Sequence, residues 1–200
     1  MKIRINTNAL KKITHQQVKP IVNKVAYEKI KKAALEAQSK MIANFENHLV
    51  TKEIESGPDG YNMSGTLSGY GNLYSFIGFE EGMDPITPIR RILQKSLEIK
   101  SLPSGARSMI TNFLVELPSK QEIIEASPMP WAEGRSWVEG IEKGISGLGQ
   151  YLNKVSFSSR SGEGVQSENK IRGGGFKNSK YLSDILNQLN RDIRKYIKWM

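Results

Sequence analysis

The sequence predicts a protein of the α+β class, because helical and strand patterns occupy different parts of the chain. Residues 13–49 and 179–198 have the apolar spacing of long helices, and short alternating segments lie within residues 73–117. A third segment, residues 128–152, is rich in tryptophan and glycine and fits neither pattern. We expect one domain over residues 1–200, with long loops between these parts.

Composition limits the classes of function. Hydrophobic residues make up 38% of the chain and charged residues 24%, a polar balance that indicates long loops or surface used by partners. Cysteine is absent, which excludes disulfides, thiolate chemistry and cysteine zinc sites. No apolar run approaches the ~18 residues of a membrane-spanning helix, and the N-terminus lacks a signal-peptide core. We therefore expect a soluble intracellular product with no membrane partner.

The net charge of +9 is unevenly distributed. Residues 1–52 carry 11 Lys/Arg and 3 acids, residues 53–153 carry 8 and 13, and residues 154–200 carry 10 and 4. Two basic ends around an acidic middle are compatible with nucleic-acid binding through the ends. They are equally compatible with copies that stack basic face on acidic face.

In the first long helix, one apolar stripe is expected along the whole of residues 13–49. Pro20 is expected in the first turn, where its missing N–H costs nothing. The opposite face carries Lys24, Lys31, Lys32 and Glu28, and we interpret it as solvated surface, with a DNA-facing stripe as the alternative. The stripe consists of Val18, Ile21, Val22, Val25, Ile30, Ala33, Ala37, Met41, Ile42 and Phe45.

Residues 56–72 are rich in Gly, Ser, Asn and Pro, which predicts a long loop. Four large side chains are spaced through this loop, Tyr61, Met63, Leu67 and Tyr70. We therefore expect the loop to pack against another surface, and a neighbouring subunit is one candidate.

The region of residues 73–117 is predicted to contain the sheet. Residues 73–79 are aromatic and β-branched, which indicates a strand, and two further strands are expected at 97–99 and 109–117. A short helix is expected at residues 87–95. Ser119 and Glu122 then have the spacing of a capping box, which predicts another short helix.

The segment of residues 128–152 concentrates the candidate anchors. Ser136 and Glu139 form a second capping box, which predicts a helix with Trp137 and Ile141 on one side. The two tryptophans are candidates for core, subunit interface or ligand stacking, and these alternatives stay open. Arg135 is expected to pair with a glutamate or lie on an indole face. The full set of candidate anchors is Trp131, Arg135, Trp137, Ile141, Tyr151, Tyr61, Tyr70 and Phe157.

The last part of the chain is predicted to be an arm followed by a helix. Residues 156–178 are polar and glycine-rich, which indicates a flexible arm or a long hairpin. Ser179 is expected to cap the final helix. Its apolar stripe is Leu182, Ile185, Leu186, Leu189, Ile193 and Ile197.

Residues with catalytic potential do not form a recognisable constellation. His15 and His48 are too far apart along a helix to share a metal ion. The glycines of residues 144–149 lack the lysine and hydroxyl residue of a phosphate-binding loop. The carboxylates Glu125, Glu133, Glu139 and Glu142 lack companion groups, apart from the capping role of Glu139. We therefore expect no enzyme, no cofactor and no metal site.

Several motifs together resemble a known family. They are the loop Gly71-Asn72-Leu73-Tyr74-Ser75, the run W-x-x-G-R-S-W-x-x-G-I-E-x-G-I-S-G-L-G-x-Y-L at residues 131–152, the SSRSGEGVQ loop and the C-terminal helix. In this pattern the chain is similar to the neck, or tail-completion, proteins of tailed bacteriophages, most like those of contractile-tailed phages. The run at residues 131–152 is the specific part of the resemblance, which covers most of the chain.

The resemblance implies long helices packed on a small, mostly antiparallel sheet. It also implies a homo-oligomeric ring, commonly of six copies, between the portal-side connector protein and the tail terminator, tube or sheath proteins. DNA would pass through the ring without sequence-specific binding. The expected location is the virion neck, and the host cytoplasm during assembly. The alternatives are a basic nucleic-acid-binding protein and a metal-dependent nuclease.

Overall fold

The computed structural model describes residues 7–67, 71–95, 97–102, 112–144, 151–152, 165–166 and 176–197. The architecture is of the α+β class, as predicted. In chain order the elements are α1 Thr7–Asn47, α2 Leu49–Glu55, α3 Leu73–Ile77, α4 Thr87–Gln94, β1 Glu98–Leu102, β2 Asn112–Glu116, α5 Lys120–Glu125, β3 Pro128–Met129, β4 Ala132–Ser136, α6 Trp137–Lys143, β5 Tyr151–Leu152, β6 Val165–Gln166 and α7 Leu182–Ile197.

The strands that the structure describes form three separate antiparallel pairs rather than one sheet. β1 pairs with β2 over five residues, in a register that sets Ile99 opposite Val115. β3 pairs with β4 through an irregular register. β5 pairs with β6, with Tyr151 opposite Gln166, the pairing expected of a hairpin. The rest of the predicted arm, apart from residues 176–178, lies outside the described residues.

The chain divides into two compact units. One contains the described residues within 1–37, 96–117 and 192–200, and the other those within 38–95 and 118–191. In the first unit, Tyr27 of α1 lies 6.5 Å from Phe113 of β2, measured between ring centroids. The second unit holds most of the large buried side chains. These include Phe45, Ile54, Leu73, Ile77, Ile86, Ile89, Leu93, Ile123, Trp137, Ile141 and Tyr181.

Helix α1 has two apolar stripes, so the prediction of a single stripe is wrong. The stripe of its second half is buried and includes Ile30 and Phe45. The stripe of its first half is exposed. Val25 and Ile30 are five residues apart, which turns the helix about 140° beyond one full turn. The two stripes therefore lie on different faces. The exposed stripe consists of Val18, Ile21, Val22 and Val25.

The ends of α1 also differ from the predicted bounds. The helix begins at Thr7 rather than near residue 13, so Pro20 lies in its interior and not in its first turn. Pro20 has no N–H to donate to the carbonyl of Gln16, which weakens the helix at that point. The helix ends at Asn47, where His48 adopts an extended conformation and becomes the N-cap of α2.

Residues 73–79 do not form the predicted strand, and this correction has a local cause. The Asn72 side chain accepts a hydrogen bond from the Ser75 N–H, which caps the short helix α3. Gly78 ends the helix in the left-handed region at φ 87°, a conformation that favours glycine. Leu73 and Ile77 are buried four residues apart on one face of α3. Aromatic and β-branched residues suit a buried helix of this length as well as a strand.

The predicted capping box at Ser119 and Glu122 forms in full and begins α5. In the second predicted box, one of the two hydrogen bonds forms: the Glu139 backbone N–H donates to Ser136 Oγ at 3.3 Å. The Glu139 carboxylate accepts a hydrogen bond from Lys143 at 2.6 Å. α6 nevertheless runs from Trp137 to Lys143, as predicted, and ends at Gly144 with φ 95°.

The final helix begins later than predicted, at Leu182 rather than Ser179. Ser179 donates its N–H to the carbonyl of Ile141 and does not cap the helix. Instead, the carboxylate of Glu142 accepts a hydrogen bond from the Ser183 N–H at 2.6 Å, within the first turn of α7. The apolar stripe of α7 is buried at Leu182, Ile185, Leu189 and Ile193.

Candidate functional site

The segment around the two tryptophans is held by a polar connection between α5 and α6. The Ser127 hydroxyl donates to the carbonyl of Ile123 at 2.7 Å and hydrogen-bonds Ser136 Oγ at 2.6 Å. The backbone N–H of Trp137 donates to the carbonyl of Ser127 at 2.9 Å. Both serines are buried. These bonds fix the turn through β3 and β4 and thereby the position of both indoles.

Trp137 is a core residue, with 1% of its surface exposed. Its ring meets Phe79 edge to face at 5.9 Å and lies 6.3 Å from the ring of Tyr181. Tyr181 also stacks on Phe45 at 6.2 Å. Ile141, one helical turn after Trp137, is fully buried. Aromatic contacts of this kind add to the energy of apolar burial, so Trp137 and Ile141 serve as anchors within the chain.

Tyr181 closes this aromatic cluster from the side of α2. Its hydroxyl hydrogen-bonds Thr51 Oγ1 at 2.6 Å in the interior. Burial raises the pKa of the Tyr181 hydroxyl, and the bond to Thr51 opposes that rise. His48 lies 4.7 Å from the Tyr181 ring, and its Nδ1 accepts the Val50 N–H at 3.2 Å. Burial lowers the pKa of His48, and nearby Asp184 opposes this effect.

Trp131 and Tyr61 lie at the surface, unlike Trp137. Trp131 is 39% exposed, and its indole N–H donates to the carbonyl of Ile77 at 2.7 Å. Tyr61 is 75% exposed. Arg135 lies on β4 with an exposed side chain. Of the other predicted anchors, Tyr151 has only its backbone described, in β5, and Tyr70 and Phe157 lie outside the described residues.

The loop predicted at residues 56–72 has neither helix nor strand in its described part, yet two polar side chains hold it. Glu53 of α2 is fully buried, and its carboxylate accepts the N–H groups of Ser64 and Leu73 at 2.7 and 2.8 Å. The Asn72 amide donates to three loop carbonyls. They belong to Gly57, Pro58 and Gly60. We call these contacts the Glu53–Asn72 clasp.

Sequence analysis missed the clasp. Asn72 directly precedes the helix-forming residues of α3, and an asparagine in that place is a common N-cap. Glu53 gave no comparable signal, because a glutamate on a short helix is normally exposed.

A second polar group joins α1, α2 and α4. Arg90 binds Glu46 through two parallel hydrogen bonds of 2.7 and 2.9 Å and also contacts Glu55. The hydrogen bond from Arg90 holds the pKa of Glu46 below its ordinary value, and the bond to Glu46 raises the pKa of Arg90. A bidentate ion pair of this geometry fixes the orientation of the helices that carry it, so we assign these three charged side chains a structural role.

The turn at residues 80–84 is acidic and exposed. Glu80, Glu81 and Asp84 carry its charge, and Met83 between them is an exposed apolar side chain. The Tyr74 hydroxyl donates to the carbonyls of Glu80 and Met83 and so fixes the backbone of the turn. We call residues 80–84 the acidic turn.

The residues considered for catalysis are dispersed or have structural contacts. Glu139 accepts a hydrogen bond from Lys143, and Glu142 accepts one from the Ser183 N–H at the start of α7. Glu125 accepts a hydrogen bond from Gln121, and the side chain of His15 is not among those described. Within the described part of the chain, no group of three His, Cys, Asp or Glu side chains is placed to hold a metal ion.

Comparison with protein-family models, with curated proteins and with solved structures gives no match. Among the described helices, none combines the length and the apolar character needed to cross a membrane. Among the described residues, the surface includes the exposed stripe of α1, the acidic turn and the exposed aromatic side chains Trp131 and Tyr61.

Proposed function

We propose that the protein is a structural component of the neck of a tailed bacteriophage virion. Copies form a ring between the portal-side connector and the tail, and the protein acts by assembly rather than catalysis. The observation that carries this proposal is the exposed stripe of α1, Val18, Ile21, Val22 and Val25. The resemblance of residues 131–152 to phage neck proteins supplies the identity of the assembly.

The energy of the exposed stripe favours an assembled state. Fully burying an aliphatic side chain of this size stabilises by about 1.5–3 kcal/mol, so completing the burial of four half-exposed ones contributes several kcal/mol. Contiguous apolar surface on a soluble chain marks an interaction site more often than isolated apolar residues do. Contact of this helix face with a neighbouring protein would gain this free energy of apolar burial, which a monomer does not gain.

Two further exposed aromatic side chains support an assembly function. Trp131 and Tyr61 are of the residue types enriched at protein interfaces. The polar end of Trp131 is already hydrogen-bonded to Ile77, so its ring is oriented before any partner arrives. The Glu53–Asn72 clasp holds the loop that carries Tyr61 in the same way. Surfaces that are ordered in advance lose less entropy on binding.

The partners follow from the resemblance. They are other copies of the chain, commonly six in the ring, the portal-side connector protein, and the tail terminator or the tail tube and sheath proteins. DNA passes through the ring without sequence-specific contact. The chain is then found in the virion neck, and in the host cytoplasm while particles assemble.

Locating the protein in assembled particles tests the proposal. Antibodies raised against the purified chain are applied to tailed particles from lysates that contain it, and the particles are imaged by electron microscopy. We expect label at the junction of head and tail, and a ring of matching mass after mild dissociation of the particles. Absence of the chain from purified particles would contradict the proposal.

The second candidate is a basic nucleic-acid-binding protein, and one observation favours it. Lys24, Lys29, Lys31 and Lys32 of α1 are all exposed. If these lysines neutralise phosphates, the logarithm of the DNA affinity should fall linearly with the logarithm of salt concentration, and Lys31→Gln should reduce that slope by about one. Weak DNA binding that does not depend on these lysines would remove this alternative.

A further inference from the structure

The exposed stripe of α1 has a surrounding charge that indicates its partner. Residues 17–32 carry five lysines and one acid, Glu28. Lys19 and Lys24 lie on either side of the stripe, and Lys29 continues it one turn after Val25. A partner surface that covers the stripe is therefore favoured if it combines apolar side chains with negative charge.

Pairing of the stripe with itself is disfavoured by the same charges. Two copies of α1 joined symmetrically through Val22 would bring the lysines of both helices together along one seam. Like charges that face each other across an interface oppose association. A contact between two different surfaces of the protein avoids this repulsion.

The acidic turn has the complementary properties. Its five residues carry three acids and no base, and Met83 provides an exposed, adaptable apolar side chain. Hydrogen bonds from the Thr87 side chain and backbone lower the pKa of Asp84, which keeps that carboxyl ionised at neutral pH. Arg90, whose charge acts on Asp84, is already paired with Glu46 and Glu55.

The acidic turn is also ordered before binding. The Met83 N–H donates to the carbonyl of Glu80 at 3.0 Å, and the Tyr74 hydroxyl donates to the carbonyls of Glu80 and Met83. The Glu80 N–H points at the Met83 sulfur, at 3.3 Å. A turn that is held in this way loses little conformational entropy when a helix docks on it.

We infer that the exposed stripe of α1 in one copy docks on the acidic turn of a second copy, with Val22 near Met83 and Lys24 near Glu81. This inference rests on the proposed function and deepens it by naming the two surfaces that join neighbours in the ring. A contact between two different surfaces repeats from copy to copy and closes into a ring when the rotation permits. The aliphatic and methionine side chains form the centre of the contact, and the charged residues form its rim.

The absence of cysteine provides a direct test. Val22→Cys and Met83→Cys are made as separate variants, one with a size tag, and mixed in equal amounts under mild oxidation. We expect a mixed disulfide dimer, because the two thiols lie on different chains and meet only at the inferred contact. Val22→Cys mixed with Glu125→Cys is the matched control, since Glu125 is an exposed acid elsewhere in the same unit as Met83.

Charge reversal tests the rim independently. Lys24→Glu and Glu81→Lys are each expected to weaken association about tenfold, and mixing the two variants is expected to restore part of the loss. Glu125→Lys, the matched control, should leave association unchanged. Sedimentation equilibrium over a range of protein concentrations measures these changes.

The possible outcomes separate this inference from the proposed function. A disulfide formed by Val22→Cys alone would assign the stripe to a symmetric helix pair and overturn the inference. A mixed disulfide no more abundant than the control, or binding of the stripe to DNA in place of a second copy, would also overturn it. If particles nevertheless carry the chain at the neck, the proposed function stands and only the assignment of surfaces fails.

Discussion

The two halves of α1 have similar apolar residues and opposite environments. The second half places Ile30, Met41 and Phe45 in the protein interior, whereas the first half leaves Ile21 64% exposed. The difference comes from the five-residue step from Val25 to Ile30, which moves the second stripe to another face of the helix. The number of apolar residues therefore shows how much apolar surface a helix has. The direction in which those residues point around the helix axis decides whether the chain's own core buries that surface.

The largest expected effect tests the buried half. Phe45→Ala removes a fully buried ring that stacks on Tyr181, and we expect it to lower the free energy of unfolding by about 3–5 kcal/mol. Urea denaturation followed by circular dichroism measures the change. A loss below about 1 kcal/mol would contradict the burial of this half and remove the contrast between the two halves.

The next effect concerns a polar contact within the buried half. The Gln38 amide is buried and donates to the carbonyls of Leu93 and Lys95, at 3.0 and 2.7 Å. Gln38→Met keeps the length of the side chain but leaves both carbonyls without this donor, which should cost about 1–3 kcal/mol. Gln17→Met, at an exposed position of the other half, is the matched control and should change little. Equal effects would show that the two halves do not differ.

A pH effect is expected where the buried half ends. His48 Nδ1 accepts the Val50 N–H, and burial lowers the pKa of this histidine in the folded state. Its contribution is therefore fully present above the ordinary pKa of about 6.5 and is lost as the pH falls through the lower folded value, since a protonated ring has no acceptor.

His48→Asn keeps a good N-cap without titration, so the variant should lose less stability than the parent between neutral and mildly acidic pH. The expected difference is about 1 kcal/mol, measured by urea denaturation at each pH. Identical pH profiles of the two proteins would exclude His48 as the source.

The smallest effect on stability belongs to the exposed half. Ile21→Ser alters a side chain in the exposed stripe, so the free energy of unfolding of the monomer should change by at most about 0.5 kcal/mol. Association between copies should weaken, which sedimentation equilibrium detects. A large loss of monomer stability would mean that the stripe is part of the chain's own core after all.

Sequence patterns predicted the elements whose signals are local. The capping box of Ser119 and Glu122 began α5 as expected, and Ser136 placed Trp137 and Ile141 on the buried side of α6. These predictions depend on neighbours three or four residues apart, which a sequence shows directly.

Predictions failed where distant contacts decide. Residues 73–77 are helical because Leu73, Tyr74 and Ile77 enter the core with Asn72 as the cap, although their composition also suits a strand. The start of α7 at Leu182 depends on Glu142, a residue 40 positions earlier in the chain that no local pattern connects to it. The exposed stripe of α1 escaped notice because apolar residues were grouped without their angular phase.

The candidate site was predicted only in part. Sequence analysis named Trp131, Tyr61 and Trp137 together as candidate anchors, and it did not distinguish the exposure of the first two from the burial of Trp137. It also missed Met83, because a single methionine between acids has no periodic pattern. Exposure is a property of the packed chain, which composition alone does not determine.

The Glu53–Asn72 clasp has a consequence for how the protein resists proteases. Segments rich in glycine, serine and proline are usually the first to be cut, since a protease must draw extended backbone into its cleft. Between Gly57 and Leu67, however, the backbone is bonded to a buried carboxylate and to the amide of Asn72. Cleavage there requires these hydrogen bonds to open first. Under limited digestion this loop should therefore be cut more slowly than its composition suggests, and Glu53→Ala should make its cleavage rapid.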